Sequence, residues 1–275
     1  MDTKIKKFVD NFYPDPEKTK DIIKNILKDK KYSVKYSSSM KSVIILLKDS
    51  VYKLMKPVSI YKNLDYNSKT KELIEYNKEA IPLLFNCSEI FVICIKSIVI
   101  TPNINIIEYE KLHDIKPKYK LRKLLLMLYQ ISYTLRNIHK KGYYHKDVYL
   151  SNIGCRIKRG EYDFILYDFE LADTFTLGEK PSEMYTDIKI FLDDLIKAYK
   201  DDILYKVFIE NILDILNKNS MIETGDTITI IKTTHKIYKN IYEYRDFNKL
   251  ILKLIKYFTN TSRDIKDMIE YMHTL

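Results

Sequence analysis

The sequence predicts an α+β architecture: a small five-stranded antiparallel sheet with one inserted helix, followed by a larger, mainly helical half. Three observations lead there. Short apolar and β-branched runs broken by polar turns fill residues 32–110. From residue 118 onward, leucine and isoleucine recur at helical intervals. No Pro/Gly-rich linker and no internal repeat divides the chain, so residues 1–110 and 111–275 read as two lobes of one domain with a cleft between them.

Each element has a local reason. Asp15 is an N-cap before Pro16, and Ile22, Ile23, Ile26 and Leu27 form one stripe, which predicts a leading helix. "YSVKYSSSMKSVIILLKDSVYKLMKP" reads as a three-strand meander turning at "SSSMKS" and "KDS". A helix is expected after Asn67 or Ser68, with Glu72, Glu75 and Glu79 on one face and Pro82 ending or bending it. "EIFVICIKSIVIT" and "INIIEYEKL" are two further strands joined by the turn "PN". A long amphipathic helix follows, carrying Leu121, Leu124, Leu125, Leu128, Ile131, Leu135 and Ile138 and closing on Lys140, Lys141 and Gly142. "YTDIKIFLDDLIKAYK", "ILYKVFIENILDILNK" and "RDFNKLILKLIKYF" are the clearest helices of the tail.

Composition narrows the classes. The chain is 46% hydrophobic and 31% charged over 275 residues, which supports a packed core and excludes a disordered chain. The net charge is +10, and residues 1–60 contribute +7 from 14 lysines against 7 acids. Such a surface attracts anionic partners, but no Lys/Arg run is dense enough for a nucleic-acid arm, so nucleic acid rests on charge alone. Cys87, Cys94 and Cys155 lack metal-ligand spacing and read as buried thiols in a reducing compartment. The polar start argues against a signal peptide, and the most apolar run, "IFVICIKSIVI", is too short to span a bilayer. A cytoplasmic protein with no membrane span is expected.

The segment "YYHKDVYLSNIGCRIKRGEYDFILYDFELAD" places Asp147 and Asp168 beside apolar runs, with Asn152 five residues after the first. Phosphoryl transfer needs such groups: a carboxylate to orient the attacking hydroxyl, hard oxygen ligands for Mg²⁺, and a cation for the nucleotide phosphates. His145-Lys146-Asp147 with Asn152 resembles the H-R-D-x-x-x-x-N catalytic loop of the protein-kinase-like superfamily. Asp168-Phe169-Glu170 resembles its D-F-G, "CRIKRGEYDFILYD" the hairpin between those motifs, and "SVYKLMK" its V-A-I-K strand. The resemblance spans about residues 32–216, with motifs in the family's order.

That resemblance implies a two-lobed kinase-like fold and an ATP-dependent phosphotransferase. Asp147 would be the catalytic base, Asn152 and Asp168 the Mg²⁺ ligands, and Lys53 the phosphate cation, with Lys56 as its neighbouring rival. A helical glutamate would pair with Lys53, Glu79 being favoured over Glu75 by its spacing to the strand "IIEYEKL". The backbone around Glu108 to Glu110 would receive adenine, and Asp187 would brace the catalytic loop. The implied partners are ATP and a protein substrate, as in divergent Ser/Thr kinases of haspin-like or virus-encoded type.

The chain departs from the family pattern in four places. "YSSSMKS" stands where the glycine-rich loop would be, which makes close phosphate approach harder. Glu170 replaces the glycine of D-F-G, as in choline kinases. Tyr149 stands where Ser/Thr kinases carry a lysine. The stretch from Asp168 to Asp187 is short and no A-P-E follows. These features keep two alternatives in play: a small-molecule kinase of the same fold, and a pseudokinase that binds partners.

Overall fold

The computed structural model describes residues 1–37, 41–60, 62–116, 118–158, 160–174 and 181–219. The side chains of Arg122, 181–185 and 214–219 lie outside that description, as does the helix expected over "RDFNKLILKLIKYF". The architecture is α+β, with antiparallel sheets and several helices. The chain divides into two compact units, the first Met1–Leu112 and the second beginning at His113.

The first unit opens with two helices, α1 (Thr3–Phe12) and α2 (Pro16–Ile26). Asp2 caps α1 through Lys4 N–H at 2.7 Å, and Asp15 caps α2 through Lys18 N–H at 3.1 Å. Only α2 was expected. The sequence does carry the signal for α1, since Ile5, Phe8 and Val9 are buried at helical spacing.

Six strands form the sheet of this unit, where five were expected. They are β1 (Ser33–Tyr36), β2 (Ser42–Leu46), β3 (Ser50–Met55), β4 (Leu64–Asp65), β5 (Ile95–Thr101) and β6 (Ile104–Glu110), in spatial order β1-β2-β3-β6-β5-β4. The additional strand β4 pairs Leu64 with Ile100 and Asp65 with Val99. Two residues are too few to show the period-two alternation by which a strand is legible.

Alternation along β3 sorts the sheet into two faces. Tyr52 and Leu54 join Val43, Ile45, Ile104 and Ile106 beneath Ile5, Phe8, Val9, Ile23 and Leu27 of the two helices. Lys53 and Met55 point to the opposite face. The predicted single helix after Ser68 is two pieces: α3 (Thr70–Tyr76) and a tight 3-10 turn over Lys78–Leu84. The break lies at Asn77 in an extended conformation, five residues before Pro82.

Cys87 and Cys94 form a disulfide, and Cys155 is buried and free. The reading of three buried thiols is therefore corrected for this pair, whose side chains are half-buried. Disulfides persist in oxidising surroundings, so these two cysteines do not argue for a reducing compartment.

In the second unit, β7 (His113–Asp114) pairs with β9 (Ile153–Lys158), which forms a hairpin with β10 (Glu161–Leu166). The long helix α4 (Leu121–Lys140) buries Leu124, Leu125, Leu128, Ile131, Leu135 and Ile138. It ends where Gly142 turns left-handed at φ 82° and donates to the His139 carbonyl at 2.9 Å. A short ribbon pairs β8 (Tyr143–Tyr144) with β11 (Asp173–Thr174). Two helices, α5 (Pro181–Ala198) and α6 (Ile203–Asn219), follow. No helix among the described residues is long and apolar enough to cross a membrane.

Candidate functional site

Lys53 sits in the middle of β3, opposite Ile44 of β2 and Ile107 of β6. It is only 6% exposed. A buried ammonium needs a partner, since an unpaired charge in an apolar setting is costly. Glu79 supplies one: its Oε1 takes the Lys53 Nζ, and its Oε2 accepts from the Tyr109 hydroxyl at 3.0 Å.

The break at Asn77 makes this pair possible. A continuous helix would hold Glu79 in line with Glu72 and Glu75, as the sequence reading had it. Instead, Asn77 leaves the helix and its Oδ1 accepts from Glu79 N–H at 3.0 Å. Glu79 is then 1% exposed while Glu75 is exposed. Lys56, the rival cation, is exposed with its ammonium 4.1 Å above the Phe12 ring.

Glu108 and Glu110 lie inside the ladder. Glu108 stands opposite Tyr52 and Ser97, with its Oε2 accepting from the Ser97 hydroxyl at 3.1 Å. Glu110 N–H donates to the Cys94 carbonyl at 3.0 Å, and its side chain accepts from Cys94 N–H at 2.9 Å. The backbone assigned to adenine is thus engaged by the sheet at Glu110. Lys111 and Leu112 are the next residues, and they lie outside the ladder.

In the second unit, the β9–β10 hairpin gathers the remaining residues. Its register ends at Ile153 opposite Leu166, and Tyr167 N–H then donates to the Asn152 carbonyl at 3.0 Å. Asn152, just before β9, and Asp168, just after β10, are therefore brought to adjacent strand ends. Asn152 Nδ2 donates to the Asp147 carboxylate at 2.6 Å and to the Asp147 carbonyl at 2.9 Å. The amide thereby fixes the carboxylate. With Nδ2 committed to Asp147, Oδ1 is the Asn152 atom left for a cation.

The loop holding Asp147 is braced from α5. Asp187 accepts from His145 N–H and Lys146 N–H, both at 2.7 Å, and from His139 Nε2 at 2.9 Å. Burial alone would push its carboxyl up, but the His139 hydrogen bond and the neighbouring histidines hold it below the usual carboxylate range. Two turns further along α5, Asp194 accepts from Leu150 N–H at 2.9 Å. Sequence reading missed Asp194, although its spacing of seven from Asp187 puts both on one side of the helix.

His145 is neutral by its contacts. Its Nδ1 accepts from Asp147 N–H at 3.3 Å, so its Nε2 carries the proton and donates to the Tyr167 carbonyl at 3.2 Å. Burial holds its pKa below the ordinary imidazole value, against the pull of nearby carboxylates. Its ring meets Phe169 edge-on at 4.5 Å. Lys146 and Asp168 adopt left-handed φ of 67° and 66°, which costs a non-glycine residue about 1–3 kcal/mol and clusters at functional sites. For Lys146, the bonds from its own N–H and that of His145 to Asp187 hold the strained backbone in place.

Chemically, the first unit offers a buried, oriented ammonium suited to an anionic group. The second offers a carboxylate held by an amide, beside two hard oxygen donors. The side-chain oxygens of Asn152 and Asp168 are of the hard donor type that a divalent cation such as Mg²⁺ takes. Neither a protein-family model nor a curated protein matches the sequence, so the reading rests on these residues.

Proposed function

We propose that the protein is an ATP-dependent phosphotransferase of two-lobed, protein-kinase-like fold, transferring the γ-phosphate of Mg-ATP to a serine or threonine hydroxyl of a protein. The observation that carries the reading is the buried Lys53–Glu79 ion pair. An apolar sheet face keeps such a pair at a cost in desolvation that a hydrophobic substitute would avoid, which favours a functional reason for it.

Each residue then has a role. Lys53 holds the α/β phosphates and Glu79 orients it. Asn152 and Asp168 would hold Mg²⁺, which would supply positive charge against that developing on the phosphates. Asp147 orients the acceptor hydroxyl and takes its proton as the oxygen bonds to phosphorus and the bond to ADP breaks. The adenine edge falls to Lys111 and Leu112, beyond the engaged Glu110 backbone.

A small-molecule acceptor is the second reading, favoured by Tyr149. It is 39% exposed where Ser/Thr kinases of the resembled family carry a lysine, and the nearby Lys146 ammonium is taken by Asp173 at 2.9 Å.

The test is transfer from γ-labelled Mg-ATP by the purified protein, beside Asp147→Ala and Asp168→Asn, with protein acceptors and a metabolite pool. Transfer that vanishes in both variants supports the kinase reading, and the labelled product tells protein from metabolite. Folded protein that neither transfers phosphate nor shows an ATP-dependent thermal shift overturns it in favour of a binding role.

A further inference from the structure

Three polar side chains are buried between the N-terminal helices and Glu79. Tyr13 is 5%, Asn77 8% and Asn105 3% exposed. Apolar residues at such positions would pack at no desolvation cost, so their retention calls for a reason.

Their hydrogen bonds form a continuous chain. The Tyr13 hydroxyl donates to the Met55 carbonyl and accepts from Asn105 N–H at 3.2 Å. The β3–β6 register ends at Leu54 opposite Ile106 and would next oppose Met55 and Asn105. The hydroxyl therefore bridges the place where the next rung would fall, at the end of the strand that carries Lys53. Burial pushes the Tyr13 hydroxyl pKa up, so it stays protonated and able to donate.

From Asn105 the chain runs on to Glu79. Asn105 Nδ2 donates to the Lys56 carbonyl at 2.9 Å, and its Oδ1 accepts from Asn77 Nδ2 at 3.0 Å. Asn77 also lies 3.4 Å from the Met55 sulfur, and its Oδ1 accepts from Glu79 N–H at 3.0 Å. Both ends of the Lys53–Glu79 pair are thus tied to one polar relay: Lys53 through the β3 backbone at Met55 and Lys56, Glu79 through its own N–H.

We infer that Tyr13, Asn105 and Asn77 are positioning residues for the Lys53–Glu79 pair, making the N-terminal helices part of the phosphate-binding apparatus. The catalytic consequence rests on the phosphotransferase reading; the placement of Lys53 does not. A relay of this kind matters because a displacement of about 1 Å at a reacting group costs up to ~100-fold in rate.

The experiment follows Lys53 directly. The full chain is acetylated with limiting N-hydroxysuccinimide acetate, and the rate at each lysine is read by peptide mass spectrometry. Lys30, which donates to the Tyr52 hydroxyl at 3.1 Å, serves as the internal control. In Tyr13→Phe and Asn77→Ala, Lys53 is expected to react several-fold faster with Lys30 unchanged. The kcat/KM for ATP is expected to fall about tenfold in both. Asn77→Ser keeps an oxygen for Glu79 N–H but loses the amide donor to Asn105, and is expected to return both readouts only part of the way to wild type. If Asn77→Ala does not fold, Tyr13→Phe, which deletes one oxygen, carries the test alone. Unchanged Lys53 reactivity, or Lys30 and Lys53 accelerating together, overturns the relay. A protein that transfers no phosphate, yet whose Lys53 responds as expected, upholds the relay and overturns the phosphotransferase reading.

Discussion

Glu79 and Lys53, 26 residues apart in the chain, form an ion pair in which both carboxylate oxygens are engaged, one by the ammonium and the other by Tyr109. Both residues are buried, so neither charge has water to fall back on. Removing either partner would strand a buried charge, and the chemistry proposed for the first unit uses both.

Breaking the pair from one side leaves a buried charge unpaired. Glu79→Ala is expected to destabilise the protein by about 3–5 kcal/mol. Lys53→Met combined with Glu79→Leu removes both charges and is expected to recover most of that loss. Urea unfolding of the single and double variants measures the difference; equal losses would show that the charges are not coupled.

Asn152→Ala frees the Asp147 carboxylate from the amide that holds it and removes a candidate cation ligand. Phosphate transfer is expected to fall at least ~100-fold, within the range supplied by a positioned general base. Its Mg²⁺ requirement should shift to higher concentration, read from a magnesium titration at fixed ATP. A chelator should abolish transfer in the wild type.

The pH dependence of stability has two windows. His145 has its pKa lowered by burial, so between that value and about 6.5 the unfolded chain binds more protons. Stability is therefore expected to fall as pH drops below neutrality, and His145→Gln should flatten that slope. Asp187 has its carboxyl held low, so its contribution is present above about 3.9 and is lost as pH falls through the folded-state value. Urea midpoints taken from pH 7.5 to pH 3, in steps of about half a unit, should show both slopes in the wild type.

The Cys87–Cys94 disulfide closes a short loop between the turn that carries Glu79 and strand β5. Cys87→Ser with Cys94→Ser is expected to cost about 2–3 kcal/mol, the loop-closure value for so small a ring. Non-reducing peptide mapping of the wild type should recover the two cysteines linked. Finding both as free thiols after oxidative purification would remove the basis for the effect.

Much of the fold was legible because it follows short-range rules. The stripe of Leu124, Leu128, Ile131 and Leu135 announces α4, and Asp15-Pro16 announces the start of α2. The spacing from Asp147 to Asn152 and the hairpin before Asp168 drew attention to the segment that the structure gathers at one hairpin base. Glu79 was favoured over Glu75, and it is Glu79 that lies against Lys53, but for a reason the pattern did not contain.

By itself the sequence determined the α+β class, the helix stripes, the turns at Pro102-Asn103 and Gly142, and the candidate residues Lys53, Asp147, Asn152 and Asp168. The class, stripes and turns follow from periodicity and backbone chemistry within a few residues, and the four candidates from the resemblance of their motifs to the kinase-like catalytic loop, D-F-G and V-A-I-K. Tertiary structure decided the rest. It ended α3 at Asn77, added the two-residue strand β4, joined Cys87 to Cys94, and engaged the Glu110 backbone in the sheet. It also ran a relay from Tyr13 through Asn105 to Glu79. The physical reason is common to all five: each depends on a partner outside the local hydrophobic pattern, and no such pattern encodes which partner that will be.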